Sequence, residues 1–348
     1  MGRDGTPVGQ AEQASVAGEE QEIRPRLWRL AAATSTWIFL VLVVIIAVFS
    51  IMNFEAFASV FNLRNIMIDA SSLLIVAVAM TFVIITAGID LSVGSVLVFS
   101  QVVAALLMRA MGAEGLGVIL AGLAAATVSG LAWGVLNGVL IAKTRMPALI
   151  VTLGTLGMAQ GAALLLSGGI NVRRAVPAEL VTTVGIGRLF GEIPYLVLIA
   201  TGITILGGIL LHLTRFGRHT YAIGSNPEAA RRAGINVSRH LIKVYAMSGF
   251  LAGVAGYLLL ARFTTTTIEG HGTTNLQAIA AVVIGGTSLF GGIGTVFGTV
   301  VGVFIPAILR NGFIILGVEP FWQQVAVGAV LILAVYVDQL KRRARERA

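Results

Sequence analysis

Residues 116–142 read L-G-V-I-L-A-G-L-A-A-A-T-V-S-G-L-A-W-G-V-L-N-G-V-L-I-A. No charge interrupts the run between Glu114 and Lys143. At about 1.5 Å per residue, a helix of this length crosses a hydrocarbon core of about 30 Å. In lipid every backbone polar group must be paired, and a helix does this within one segment. Gly130, Gly134 and Gly138 are spaced four apart, so they share one helix face. Apolar burial gives no drive for helix association in lipid, whereas small residues let backbones approach closely and gain dispersion contacts. The run therefore predicts a membrane helix packed on a neighbour through glycine.

Working outward, apolar runs of similar kind occupy 30–52, 71–87, 91–108, 148–166, 194–214, 241–261, 276–289, 293–309 and 321–337. They predict an all-α integral membrane protein with about ten transmembrane helices. The run at 276–289 is short and bounded by glycine, which fits a tilted or broken helix. Composition agrees: 57% of the 348 residues are hydrophobic and 11% charged, where a soluble domain has about a quarter charged. Mean hydropathy is +0.92. Residues 1–29 are polar and aperiodic and predict a disordered cytoplasmic tail. A-F-A at 56–58 resembles a cleavage site, but the preceding apolar run exceeds a signal peptide's and predicts an uncleaved first helix.

Charge sets the expected orientation. With both ends inside, seventeen of the 24 Lys and Arg residues fall on the cytoplasmic side, including the basic tail at 339–348. Only Arg64, Arg109, Arg173, Arg174, Arg188, Arg262 and Arg310 fall outside. Gly294, Gly298 and Gly302 repeat the four-residue spacing in the ninth run. Their placement suggests a duplicated half, spans 2–5 repeated as 7–10 and inverted across the membrane.

Several chemistries are excluded. The absence of cysteine removes disulfides, thiolate catalysis and zinc–sulfur sites. His212, His219, His240 and His271 lack ligand spacing, so no metal site is expected. The net charge of +8 is spread over loops and ends, which argues against nucleic-acid binding. Lys143, Lys243 and Lys341 are the only lysines, and none follows a phosphate-binding glycine loop, so nucleotide hydrolysis must come from a partner.

The long inner loop, 215–243, carries S-N-P-E-A-A-R-R-A-G at 225–234. Ser225 followed by Glu228 reads as a capping box, Pro227 suits the first turn, and Gly234 is a natural stop. The predicted helix of about two turns is too short to persist alone in water, so something must hold it.

The loop T-R-F-G-R-H-T-Y-A-I-G-S-N-P-E-A-A-R-R-A-G-I-N-V at 214–237 resembles the coupling loop of ribose/xylose-type permeases of bacterial ATP-binding-cassette (ABC) importers. I-T-A-G-I-D-L-S-V-G-S at 85–95 is similar to that family's best-marked motif. N-G-V-L-I-A-K-T-R-M-P-A-L-I-V-T-L-G-T at 137–155 and A-I-A-A-V-V-I-G-G-T-S-L-F-G-G at 278–292 also match. So do G-T-V-F-G-T-V-V-G and L-R-N-G-F-I-I-L-G-V after them, and the resemblance spans roughly 65–320.

The resemblance implies a permease subunit of a monosaccharide importer, without a catalytic site or cofactor of its own. It implies a pore made with a second permease copy or a paralogue, and a cytoplasmic ABC ATPase that binds ATP and Mg. A sugar-binding protein would deliver cargo from outside. ATPase coupling would fall on Asn226, Pro227, Glu228, Ala229, Ala230, Arg231, Arg232 and Gly234, with the alanines allowing close approach to the ATPase.

Asp90 has two readings. A carboxylate within the membrane is a functional candidate, while its place after Gly88 also suits an N-cap of the third span. Thr86, Ser92 and Ser95 lie near it. Gln101, Asn137, Thr152, Gln160, Asn275 and Gln277 are polar positions within apolar runs, each either on the translocation path or an interhelical hydrogen-bond partner. The outer loop with Arg173, Arg174, Glu179, Arg188 and Glu192 either docks the binding protein or is simply solvated. Two alternatives stay open: an ABC permease for branched-chain amino acids or nucleosides, and an ion-coupled secondary transporter using Asp90 and Asp69.

Overall fold

The computed structural model describes residues 38–112 and 114–319, with Trp322, Val325, Gly328, Ala329, Ile332 and Tyr336. The tail at 1–29, the start of the first run, the rest of 321–337 and the basic end at 339–348 lie outside the described residues.

The chain forms α1 (Ile38–Met52), α2 (Val60–Ile85), α3 (Val93–Ala110), α4 (Leu116–Thr144) and α5 (Ala148–Ser167). A loop then carries a helical turn, Ala178–Leu180, and a two-stranded hairpin of β1 (Arg188–Leu189) and β2 (Ile193–Pro194). The remaining helices are α6 (Tyr195–Leu213), α7 (Arg215–Ser225), α8 (Pro227–Arg232), α9 (Val237–Phe263), α10 (Thr274–Ile284) and α11 (Val296–Ile315). Seven of the described helices, α2 to α6, α9 and α11, are long and apolar enough to cross a membrane. The run at 276–289 stops being helical at Ile284, where Gly285 and Gly286 begin an irregular stretch.

Helix α2 starts well before 71, because the polar residues of its first turns find partners on other elements. Asn62 Nδ2 donates to Phe57 O and to Asn311 Oδ1, both at 2.9 Å. Arg64 pairs with Glu192 at 2.5 Å, and Asp69 pairs with Arg262. Ser59 caps the helix, its Oγ accepting the Asn62 N–H.

Helices α2 and α9 pack against each other at the centre, and their middles are buried. Helix α3 packs on α9 and α4, while α10 packs on α2 and α11. Leu120 and Val128 of α4, Leu149 and Leu153 of α5, and Ile205 and Leu206 of α6 are exposed. So many contiguous apolar side chains would drive aggregation in water and suit a lipid face.

Three breaks interrupt the helices. After α2 the chain turns at Ala87, with φ +59°, and α3 starts beside the middle of α9. After α9 it turns at Thr264, also φ +59°, and residues 265–273 double back along α3 to start α10. The starts of α3 and α10 therefore meet: a Cβ on Gly94 would lie 2.7 Å from His271 O and 3.6 Å from Asn275 N. The third break, 285–295, joins α10 to α11 through Gly286, Gly291 and Gly292, all with positive φ.

Candidate functional site

Asp90 lies in the first break, 1% exposed. Its Oδ1 accepts the Ser92 hydroxyl at 2.6 Å and the Ser92 N–H at 3.0 Å. Its Oδ2 accepts Ser248 Oγ of α9 at 2.9 Å. Ser92 Oγ in turn accepts Asn137 Nδ2 of α4 at 2.8 Å, and Asn137 Oδ1 accepts Thr155 Oγ1 of α5 at 2.7 Å. Thr152 Oγ1 stands 3.2 Å from Ile89 O. One carboxylate thus ties α3, α4, α5 and α9 together. Burying a charge is costly unless hydrogen bonds replace its water, and three donors do so here. The N-cap reading of Asp90 is corrected: the cap position is Ser92, and Asp90 shapes the turn before it. Ser248 and Thr155 were missed in the sequence because a hydroxyl in an apolar helix can also bond its own turn, as Thr155 does with Val151 O.

A second polar cluster surrounds 265–273. Gln101 Oε1 accepts Thr267 N–H at 3.1 Å, Gln160 Nε2 donates to Ile268 O at 3.1 Å, and Asn275 Nδ2 donates to Leu91 O at 3.0 Å. Asn171 Oδ1 accepts Ile268 N–H at 3.0 Å. The His271 ring sits between Thr267 Oγ1 and Thr274 Oγ1. The path candidates therefore fall into two groups. Asp90, Ser92, Asn137 and Thr152 form one, and Gln101, Gln160 and Asn275 the other. Thr86 and Ser95 are buried beside the first, Thr86 donating to Val83 O. Gln277 is half-buried and donates to Thr273 Oγ1 at 3.4 Å, at the edge of the second.

At the opposite end of α9 sit α7 and α8. Asn226 caps α8, its Oδ1 accepting Ala229 N–H at 3.0 Å. This corrects the capping box: Ser225 ends α7, and Glu228 pairs forward with Arg231 at 3.0 Å rather than reaching back. Both partners of that pair are exposed, so it adds little stability. Ala230 is also corrected. It is 4% exposed and packs with Ile223 and Val237, so it holds the segment onto the permease. Asn226, Pro227, Glu228, Ala229, Arg231, Arg232 and Gly234 face outward. A cleft of about 420 Å³ lies between α8 and the adjoining ends of α4 and α9, with Arg145, Met146, Pro227, Arg231 and Leu241 on its walls.

Five of the six glycines meet backbone, while Gly294, expected on the helix face with Gly298 and Gly302, lies before the start of α11 and meets side chains. A Cβ on Gly130, Gly134 or Gly138 would come within 2.3, 2.3 and 2.7 Å of Gly249 O, Tyr245 O and Ile242 Cα of α9. On Gly298 and Gly302 it would come within 2.0 and 1.9 Å of Gly285 O and Ala281 O, and on Gly294 within 2.7 Å of the Thr287 side chain. In the loop at 168–192 Arg173, Arg174, Glu179 and Arg188 are exposed, while Glu192 holds Arg64. Among the described residues no group of His, Cys, Asp and Glu is placed to hold a metal ion.

Residues 62–335 match the family described as branched-chain amino acid transport system / permease component. The chain is 39% identical to the ribose import permease protein of Escherichia coli strain K12, over 89% of this chain and 96% of that one. It is 33% identical to the fructose import permease protein of Rhizobium meliloti, over 87% and 85%. With the galactose/methyl galactoside import permease protein of Salmonella typhimurium it shares 34% identity, over 87% and 94%. No solved structure matches.

Proposed function

The chain belongs to the branched-chain amino acid transport system permease component family, and from that premise we propose that it is the permease subunit of an ABC importer for a monosaccharide of the ribose class. It is a multi-pass membrane subunit without an ATPase domain. The observation that carries the cargo class is the similarity, along nearly the whole chain, to permeases named for ribose, fructose and galactose. That pattern favours a sugar over branched-chain amino acids or nucleosides. Ion coupling is disfavoured because the two acids it would use already have structural partners: Asp90 has Ser92 and Ser248, and Asp69 has Arg262.

In this reading two copies enclose the path, a sugar-binding protein docks on the side of Arg173 and Glu179, and the ATPase docks on the outward face of α8. The spans number ten in all, with α1, α10 and the run at 321–337 added to the seven full-length helices, and both termini are cytoplasmic. An inverted repeat, spans 2–5 against 7–10, is supported by three parallels. Helices α2 and α9 have 26 and 27 residues. Each is followed by a turn at φ +59°, and each leads into a helix that packs on the other half.

Two experiments test this. Proteoliposomes holding the permease, its ATPase and its binding protein should take up radiolabelled ribose, fructose or galactose only with ATP inside. Ala229→Trp, a bulky group on the outward face, should cut ATPase association at least about tenfold while the permease stays monodisperse. Sugar uptake without the ATPase would overturn the importer reading. For topology, Arg173→Cys in this cysteine-free chain should react with an impermeant thiol reagent in intact cells. Labelling only after permeabilisation would reverse the orientation.

A further inference from the structure

We propose that the end of α7 is a backbone latch joining the coupling segment to both broken helices, so that displacement of α8 is delivered to the Asp90 turn and to the α10–α11 break together. The inference rests on the importer reading and adds the route of coupling within the chain.

The junction is built without intervening side chains. A Cβ on Gly224 would lie 1.7 Å from Ile85 O and 2.6 Å from Gly292 N, so three backbones touch at this point. Gly292 N–H donates to Ile85 O at 2.9 Å, tying the third break to the last turn of α2. Gly291, at φ +84°, would place a Cβ 2.8 Å from Gly224 O and 2.9 Å from Ala87 Cβ. Close backbone contacts of this kind do not compress, so they transmit small shifts that a flexible side chain would absorb. Tyr221 adds a side-chain tie, its half-buried Oη donating to Gly294 O at 2.6 Å.

From the latch two short paths lead inward. Ile85 is followed within five residues by Asp90, whose carboxylate holds the start of α3. Gly292 and Gly294 lie between α10 and α11. All three breaks are incompletely paired. Tyr245 Oη, Thr287 Oγ1, Asn275 Oδ1 and Gln101 Nε2 are buried without a hydrogen-bond partner among the described residues. Tyr245 Oη faces Gly88 in the first break, Thr287 is in the third, and Asn275 and Gln101 flank the second. Stranded polar groups are costly, and their gathering at the breaks marks the parts that have another arrangement to move into.

The test compares wild type, Tyr221→Phe and Gly224→Ala in proteoliposomes with the ATPase and binding protein, reading sugar imported per ATP hydrolysed. Amide hydrogen exchange of the permease alone is measured alongside. Both variants should bind the ATPase and hydrolyse ATP, but import per ATP should fall at least about fivefold. Exchange at 86–92 and 285–295 should quicken, while the α4–α9 contact stays protected. If Gly224→Ala does not accumulate, Tyr221→Phe decides alone. An unchanged import-to-hydrolysis ratio in Tyr221→Phe, or unchanged exchange at both breaks, overturns the latch. Wild type that binds its ATPase yet imports nothing overturns the importer reading, and the latch with it.

Discussion

Gly134→Leu is expected to abolish accumulation of folded protein. The Cβ alone would stand 2.3 Å from Tyr245 O and 3.0 Å from both Ala246 Cα and Gly249 N. The atoms in the way are α9 backbone, which moves only if the whole helix does. Gly249 presses back in the same way, its own Cβ position 2.2 Å from Gly130 O. The cost should exceed the usual overpacking range of about 1–3 kcal/mol, because no rotamer relieves a Cβ clash. Gly117→Leu, on the same helix but with nothing within 4 Å of an added Cβ, is the matched control. In fluorescence-detected size-exclusion of a tagged chain, Gly134→Leu should leave less than about a tenth of the wild-type peak, and Gly117→Leu nearly all of it. A wild-type peak and thermal midpoint for Gly134→Leu would show that the α4–α9 contact does not hold the fold together.

Asp90→Ala should have the second-largest effect, and it separates structural from ionic roles. Removing the carboxylate strands the Ser92 N–H, the Ser92 hydroxyl and the Ser248 hydroxyl. Each costs about 1–3 kcal/mol if it stays unpaired, so thermal stability and import should both collapse. Asp90→Asn should be far milder. The amide oxygen still accepts from Ser92, and the amide nitrogen can donate to a rotated Ser248 hydroxyl. Import within about twofold of wild type for Asp90→Asn, beside complete loss in Asp90→Ala, is the expected pair of results. Loss of import in a stably folded Asp90→Asn would assign work to the charge itself and revive the ion-coupled alternative.

The all-helical membrane class was legible because lipid allows few backbone solutions, and the apolar runs repeat the length that a bilayer demands. The glycine spacing at 130, 134 and 138 marked a helix face without context, since a four-residue step is a local property. Motif resemblance along 85–95 and 214–237 pointed to the family for the same reason: it lies in the order of residues. The sequence could not say which backbone Gly134 meets, because α4 and α9 are about a hundred residues apart and many helices would accept a glycine face.

Only the tertiary structure turned Ala230 inward, against Ile223 and Val237. An alanine suits either side of a short helix. It also moved the cap from Ser225 to Asn226, two neighbours whose side chains can both accept an N–H, so the choice depends on where α7 ends. Asp90 reads from its neighbours as a cap, yet its partners include Ser248, more than 150 residues away. The starts of α3 and α10, the latch at Gly224 and the stranded groups at the breaks all join segments from opposite halves of the chain. Apolar patterning and capping are short-range and survive in one dimension. Close backbone approach and buried hydrogen-bond pairing depend on which helices become neighbours, and the fold decides that.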